Sequence, residues 1–307
     1  MNSGLHRFAQ FTVICTVLLL AAGAMVTSTD AGDSVPDWPL AYGALVPPLV
    51  GNIVYEYSHR VAGASVGFLT IILAVWIWRA DARPWMRKLG WLALSAVIAQ
   101  GLLGGLRVLN PHLSGPIALV HTCLAQLFLC TVVSIAVFTG RDWQQDLPEL
   151  EDAGSPRLRS LALLAFAATF LQLILGAAFR HKLFGTEKVL AAISPHAMNA
   201  FWVLAMSILI SRAVRTRFAP AAPLRKYARL LSGIVGAQIV LGLVAYMTVV
   251  AARTAPQPPV PMIWATVLHL VLGALTLACT VVFTLYAFRM TRAEAPAAAS
   301  RAVTESR

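Results

Sequence analysis

Eight apolar runs punctuate the chain, at about residues 8–28, 56–78, 88–107, 116–139, 158–179, 193–213, 227–250 and 262–287. A helix needs ~20 apolar residues to cross ~30 Å of hydrocarbon. Backbone polar groups in lipid must bond within their own segment, so each run predicts a transmembrane helix. The first run has no small-residue cleavage site after it and reads as an uncleaved span. Short polar loops join the runs, with one exception. The segment 28–55 is proline-rich, carries Asp30, Asp33 and Asp37, and contains no Lys or Arg; its turn residues predict an ordered, irregular loop. Beyond Arg292 the chain is Ala-rich and polar, the pattern of a disordered tail.

Composition reinforces the membrane reading and charge orients it. Of 307 residues, 58% are hydrophobic and 12% charged, with a mean hydropathy of +0.73; soluble domains average about 25% charged. The net charge of +11 does not point to nucleic acid, because the basic residues sit in short loops, where they act as a topology signal. With the N-terminus cytoplasmic, only Arg60, Arg107, Arg180, Lys182, Lys188 and Arg253 fall outside, leaving 18 of the 24 Lys and Arg inside (24 − 6). Both termini are then cytoplasmic, the even-numbered spans enter from the outer face, and the expected location is the cell (inner) membrane. The cysteines, Cys15, Cys123, Cys130 and Cys279, all lie in apolar runs without CxxC spacing. They read as small buried apolar residues, with none available for an outer-side disulfide.

The chain also repeats. Ala99-Gln100-Gly101-Leu102-Leu103-Gly104 in the third span recurs as Ala237-Gln238-Ile239-Val240-Leu241-Gly242 in the seventh, each after an Arg-Lys pair, and Gln172 to Gly176 of the fifth is related. Four spans separate the copies, so both have the same orientation. The expected architecture is all-α: two tandem four-helix bundles related by a pseudo-twofold along the membrane normal. The N-terminal half is residues 1–140, a cytoplasmic linker follows over 141–157, the C-terminal half is 158–290, and 291–307 is the tail. Chance likeness between Leu/Gly-rich helices is the plainer alternative.

Histidine turns the repeat into chemistry. His6, His112 and His181 fall in a terminus or short loops and read as solvated. The other four, His59, His121, His196 and His269, lie one in each even-numbered span, near its outer end. The repeat pairs His59 with His196 and His121 with His269. A lone membrane histidine is as often a packing residue as a ligand, but four at matched depth point to ligands. A zinc or copper site would need more donors than two imidazoles. Two imidazoles from facing helices suit a six-coordinate heme iron, so each half predicts one bis-histidine heme. With both axial positions filled, electron transfer or chemistry on the porphyrin is favoured over oxygen activation at the iron. The halves differ at one place: Glu56 lies three residues before His59, on the same helix face, whereas Ile193 occupies that place before His196. A carboxylate in a span is a functional candidate, which makes Glu56 a candidate acid/base group. The alternative is an interfacial carboxylate paired with Arg60.

These residues together resemble the heme A synthase family. The match rests on Gly23-Ala24-Met25-Val26-Thr27-Ser28-Thr29, Pro36-Asp37-Trp38-Pro39-Leu40, Glu56-Tyr57-Ser58-His59-Arg60, and His121, His196 and His269 at the outer ends of their spans. It extends over about residues 8–287. The resemblance implies an oxidoreductase that converts heme O to heme A, oxidising the C8 methyl group to formyl by two successive hydroxylations with water-derived oxygen. It implies that His59 and His121 hold the substrate heme beside the catalytic Glu56, and that His196 and His269 hold a cofactor heme b. Arg60, Arg107 and Arg253 are candidate propionate partners. Many relatives carry a cysteine pair in the first outer loop; here Ser34 and Ala41 stand there, with Asp30 or Asp33 expected to order the loop instead. The partners implied are heme O, an electron acceptor, and the farnesyltransferase that makes heme O, with homo-oligomerisation left open. Two other classes fit the histidines: a diheme electron-transfer cytochrome, and a heme transporter or chaperone.

Overall fold

The computed structural model describes residues 2–183 and 189–293. Lys188 and the tail beyond 293 lie outside the described residues. Eight helices among those described are long and apolar enough to cross a membrane: α1 (Ser3–Ser28), α2 (Ile53–Ala80), α3 (Pro84–Leu109), α4 (Ser114–Thr139), α6 (Leu158–Arg180), α7 (Val189–Arg217), α8 (Ala222–Ala251) and α9 (Val260–Met290). A 3-10 turn (Pro111–Leu113), a short helix, α5 (Arg141–Gln144), and a two-stranded parallel ladder complete the described elements, β1 (Leu150–Asp152) beside β2 (Thr291–Ala293). Each long helix overruns its apolar run by up to a few residues, because polar flanks continue the backbone bonding past the hydrocarbon.

The caps explain where helices begin. Asn2 accepts from Leu5 N at 3.1 Å at the start of α1, and proline occupies the first turn of α3, α8 and α9, where its missing N–H costs nothing. Hydroxyls inside the helices bond to carbonyls one turn back, as Thr12 to Phe8 at 2.9 Å and Thr70 to Val66 at 2.7 Å, which satisfies these donors within their own helix. Side chains such as Phe11, Leu18, Phe68, Leu102, Trp202 and Val240 are exposed around the outside. That apolar belt is what a bilayer covers.

Helix pairing recurs along the chain. In the first four spans α1 packs on α2, α2 on α3, α3 on α4, and α4 back on α1; in the last four α6 packs on α7, α7 on α8, α8 on α9, and α9 back on α6. Helices α4 and α9 meet between the two sets, and α1·α9 and α4·α6 flank them. The core there is fully buried, with Leu129, Ile135, Leu277 and Phe283 each at 0% exposure. At the end carrying the N-termini of α2, α4, α7 and α9, Arg180 donates to Ser28 Oγ at 2.6 Å and Ser28 lies 2.9 Å from Thr266 Oγ1. At the opposite end Asp152, 2% exposed, accepts from Arg217 at 3.1 Å and caps the Leu158 N–H that opens α6. This anchor explains the small strand ladder within an otherwise helical chain.

Candidate functional site: four histidines on glycine seats

His59, His121, His196 and His269 all stand in the second or third turn of α2, α4, α7 and α9, at the same end of the molecule. Each imidazole rests on a glycine of the helix before it. A Cβ built on Gly23 would lie 2.9 Å from His59 Cε1, one on Gly176 2.8 Å from His196 Cε1, and one on Gly242 2.8 Å from His269 Cε1. Gly104 stands further off, at 3.7 Å from His121 Cε1. Carbon atoms prefer ~3.5–4.0 Å, so three of these seats admit no larger residue without moving the ring. The repeat seen in the third, fifth and seventh spans is therefore a seat for the next helix's histidine.

At three of the seats, Gly104, Gly176 and Gly242, a glutamine four residues earlier completes the seat. Gln100 Nε2 donates to the His121 carbonyl at 2.8 Å, Gln172 to that of His196 at 2.9 Å, and Gln238 to that of His269 at 2.9 Å. His196 gains more. Its Nδ1 lies 3.0 Å from the Gln172 carbonyl, which can only accept, so the proton is on Nδ1 and the Nε2 lone pair is the one offered to a metal. The Gln172 amide also lies 3.1 Å from that Nε2. Asn199, buried, donates to Gln172 Oε1 at 2.8 Å and holds it in place.

Whether these residues suit heme can be judged from three features. Among the described residues no three His, Cys, Asp or Glu side chains come together, so the donors available are histidine pairs. Buried Nδ1 atoms of His59, His121 and His269 have no hydrogen-bond partner. The rings of His196 and His269 have centres 6.2 Å apart at 75°; a metal joining two imidazoles by bonds of about 2 Å sets the ring centres about 6 Å apart. His59 and His121 stand at the matching places of the first helix set, in α2 and α4. The donor sets fit two bis-histidine hemes.

The other residues singled out in sequence are placed unevenly. Glu56, 4% exposed, uses Oε2 to accept from the Ser34 and Val35 N–H groups at 2.9 and 3.0 Å, and Oε1 to accept from Arg60 at 2.7 Å. Arg60 donates in addition to the carbonyls of Asp37, Leu40 and Val35. This pair thus holds the 29–52 segment onto the first turns of α2. Arg107 donates to the Gly32 carbonyl at 3.0 Å and lies 3.8 Å from Asp33. Arg253 is exposed and makes no ion pair among the described residues. His181 differs from its solvated expectation: it lies 3.3 Å from Thr122 Oγ1, and burial pushes its imidazole down to about 4. His6 differs too, with Nδ1 3.1 Å from the Ala136 carbonyl at the opposite end. His112 is exposed.

The loop is ordered by Asp37, rather than by Asp30 or Asp33. Its carboxylate accepts from Tyr42 N at 2.7 Å and Gly43 N at 2.8 Å. Tyr42 and Gly43, at φ +54° and +72°, form a two-residue turn between Ala41 and Ala44, which exchange backbone bonds. The Gly43 N–H, with Tyr42 behind it, holds the Asp37 carboxyl below its ordinary value. Tyr42 Oη donates to the Ser34 carbonyl at 2.6 Å, so Ser34 is joined to the turn that contains Ala41 by hydrogen bonds. Trp38 closes the loop over α3: a Cβ on Gly105 would lie 2.5 Å from its ring, beside the seat glycine of His121.

Comparison with known proteins agrees with this geometry. The COX15-CtaA family model, described as a cytochrome oxidase assembly protein, matches residues 6–53 and 50–192, more than half of the chain. A heme A synthase of Halalkalibacterium halodurans is 31% identical over 211 residues, covering 67% of this chain and 68% of the relative. The chain belongs to the heme A synthase family. Another heme A synthase, from Shouchella clausii, is 30% identical over 209 residues, covering 66% of each chain, and one from Lysinibacillus sphaericus is 36% identical over 112 residues, covering 35% of this chain and 36% of the relative. The family match includes the loop, Glu56, His59, His121 and the Gly23, Gly104 and Gly176 seats. His196 and His269 lie beyond it and rest on the structure.

The seat glycines and their glutamines were visible in sequence only as a repeat. The spacing signal was present, glutamine then glycine four later, but nothing in the sequence says that the glycine faces the next helix's histidine. Gly23 lacks even that signal, because Leu19 stands where the glutamine would.

Proposed function

We propose that this protein is an oxidoreductase of the bilayer that converts heme O to heme A. The observation that carries the reading is the set of four histidines on their seats, with, among the described residues, a buried carboxylate and the loop bonded to it beside the first pair. In this reading His59 and His121 hold the heme O iron, and His196 and His269 hold a heme b. The two sets of four helices are tandem halves related by a pseudo-twofold, which the recurring helix pairing supports. Both termini are cytoplasmic and the histidine end faces outward, as the Lys and Arg distribution favours.

The chemistry asked of the first half is removal of hydride equivalents from a porphyrin methyl group. In each round water supplies oxygen to the C8 methyl carbon, two electrons leave through the ring system, and two protons are released. After the second round the gem-diol loses water to give the formyl group. Heme b, when bound in the second half, supplies a one-electron relay toward an outer acceptor. The chain's own residues do the rest. His59 and His121 fix the porphyrin through its iron. Glu56 lies one turn from His59 and takes a proton from the attacking water or stabilises the cationic carbon. Its existing hydrogen bonds orient it, and Trp38 with the 29–52 segment keeps bulk water from the ring edge. Of the three arginines, Arg60 is taken up by Glu56 and loop carbonyls and Arg253 stands exposed, which leaves Arg107 as the strongest propionate partner.

The experiment is co-expression with a heme O source, followed by chromatography of the extracted hemes. Heme A or its hydroxymethyl precursor is expected. Unchanged heme O together with heme b would indicate a diheme electron carrier, and heme O that leaves with an acceptor protein would indicate a transporter.

A further inference from the structure

The four histidines are not held alike. Three have their carbonyl bonded by a glutamine from the preceding helix: His121 by Gln100, His196 by Gln172 and His269 by Gln238. His59 has no such bond. At the matching place, four residues before its seat Gly23, α1 carries Leu19. The place is the same in space as well as in sequence. Leu19 Cδ1 lies 4.0 Å from a Cβ built on Gly63, one turn beyond His59, just as Gln238 Nε2 lies 3.0 Å from one on Gly273, one turn beyond His269. An apolar side chain thus stands where a donor stands elsewhere.

The restraint on His59 comes from another direction. Its neighbours Glu56 and Arg60 tie the first turns of α2 to Ser34, Val35, Asp37 and Leu40 of the loop. These bonds run from α2 to a loop that is tied to α3 through Trp38 over Gly105 and Arg107 on the Gly32 carbonyl. Those of the other three histidines run from helix to helix, as Gln238 to His269.

We propose that His59 is the exchangeable axial ligand, the one that lets go of the iron when substrate enters and product leaves, and that Leu19 is the positioning residue that makes it so. This rests on the assignment of the histidine pairs to heme. In the exchange step the iron–Nε2 bond of His59 breaks, the electron pair stays on Nε2, and no redox change occurs; His121, bonded to Gln100, keeps the iron meanwhile. A substrate site must empty once per turnover, whereas a relay site must stay filled, and the bracing follows that division. His196 and His269 are both pinned.

The test uses full-length protein loaded with ferric heme b, with apomyoglobin as the acceptor. Two phases of transfer are expected, the faster missing from His59→Ala and the slower missing from His269→Ala. Leu19→Gln should slow the fast phase about threefold to tenfold, the worth of one added hydrogen bond, with the low-spin spectrum retained. Gln238→Leu should accelerate the slow phase to a similar degree. As a second route that adds no polar group to α1, Gln100→Leu should accelerate the fast phase further. An unchanged fast phase in both Leu19→Gln and Gln100→Leu, with a low-spin spectrum intact, would overturn the inference while leaving the heme sites standing. Absence of any low-spin bis-histidine spectrum in the loaded wild-type protein would overturn both.

Discussion

Substituting alanine at the seat glycines is the most quantitative perturbation available. A Cβ at Gly242 would stand 2.8 Å from His269 Cε1, and one at Gly176 2.8 Å from His196 Cε1. Ordinary carbon contact is about 3.5–4.0 Å, so each ring must retreat by roughly 0.7–1.2 Å. Metal–ligand distances tolerate only about ±0.2 Å, and disturbing the groups that orient a ligand costs about 10–100-fold in metal affinity. Gly242→Ala and Gly176→Ala should therefore weaken heme b retention by that factor and convert part of the low-spin absorbance to high-spin. Two controls come from α3 and α8. Gly104→Ala puts its Cβ at an ordinary 3.7 Å from His121, and Gly236→Ala meets nothing within 4 Å; both should keep wild-type heme. The assay is the ratio of heme to protein after purification, with the visible spectrum. The reasoning fails if Gly242→Ala purifies with full low-spin heme, or if Gly104→Ala loses as much as Gly242→Ala.

Other expectations follow from the loop and the core. Glu56→Gln should stop heme A formation and let heme O accumulate while heme b content holds; it also leaves one acceptor oxygen where two were used, so either the Ser34 and Val35 amides or Arg60 loses its partner and the loop's hydrogen-exchange protection should fall. Normal heme A from that variant would remove Glu56 from the chemistry. Because the Asp37 carboxyl is held below its ordinary value of 3.8, its hold on Tyr42 and Gly43 is fully present above that value and is lost as pH falls through the lowered one. Protection of these two amides should be level from pH 7 to pH 5 and drop only in more acidic solution, whereas Asp37→Asn should lose it throughout. Leu277→Ala, at a fully buried position of α9, should destabilise the junction between the helix sets by about 2–5 kcal/mol, read from unfolding in detergent.

The spans and the four in-span histidines are legible because each leaves a one-dimensional trace. A run of twenty apolar residues reports its helix, and a costly imidazole inside one reports a use. The loop was less legible. Its order depends on Asp37 reaching the Tyr42 and Gly43 amides, and three aspartates in one segment look alike until the chain turns at Tyr42. Glu56 differs from Ile193 in the sequence itself, but the sequence gives no hint that its oxygens meet the Ser34 and Val35 amides, 22 and 21 residues away. His6 and His181 looked solvated because both fall at span ends, where partners come from other helices: Ala136 and Thr139 for one, Thr122 for the other. The repeat of glutamine and glycine was seen, and its purpose was not, since only packing brings a glycine on one helix under a histidine on the next.

The division of labour between the two histidine pairs is tested most directly by the hemes extracted from single-histidine variants co-expressed with a heme O source. Chromatography should find no heme b and only unconverted heme O in His269→Ala, and in His59→Ala it should find heme b without heme A. Normal heme A production by His269→Ala would contradict the account, because the second pair would then have no part in drawing electrons from the first.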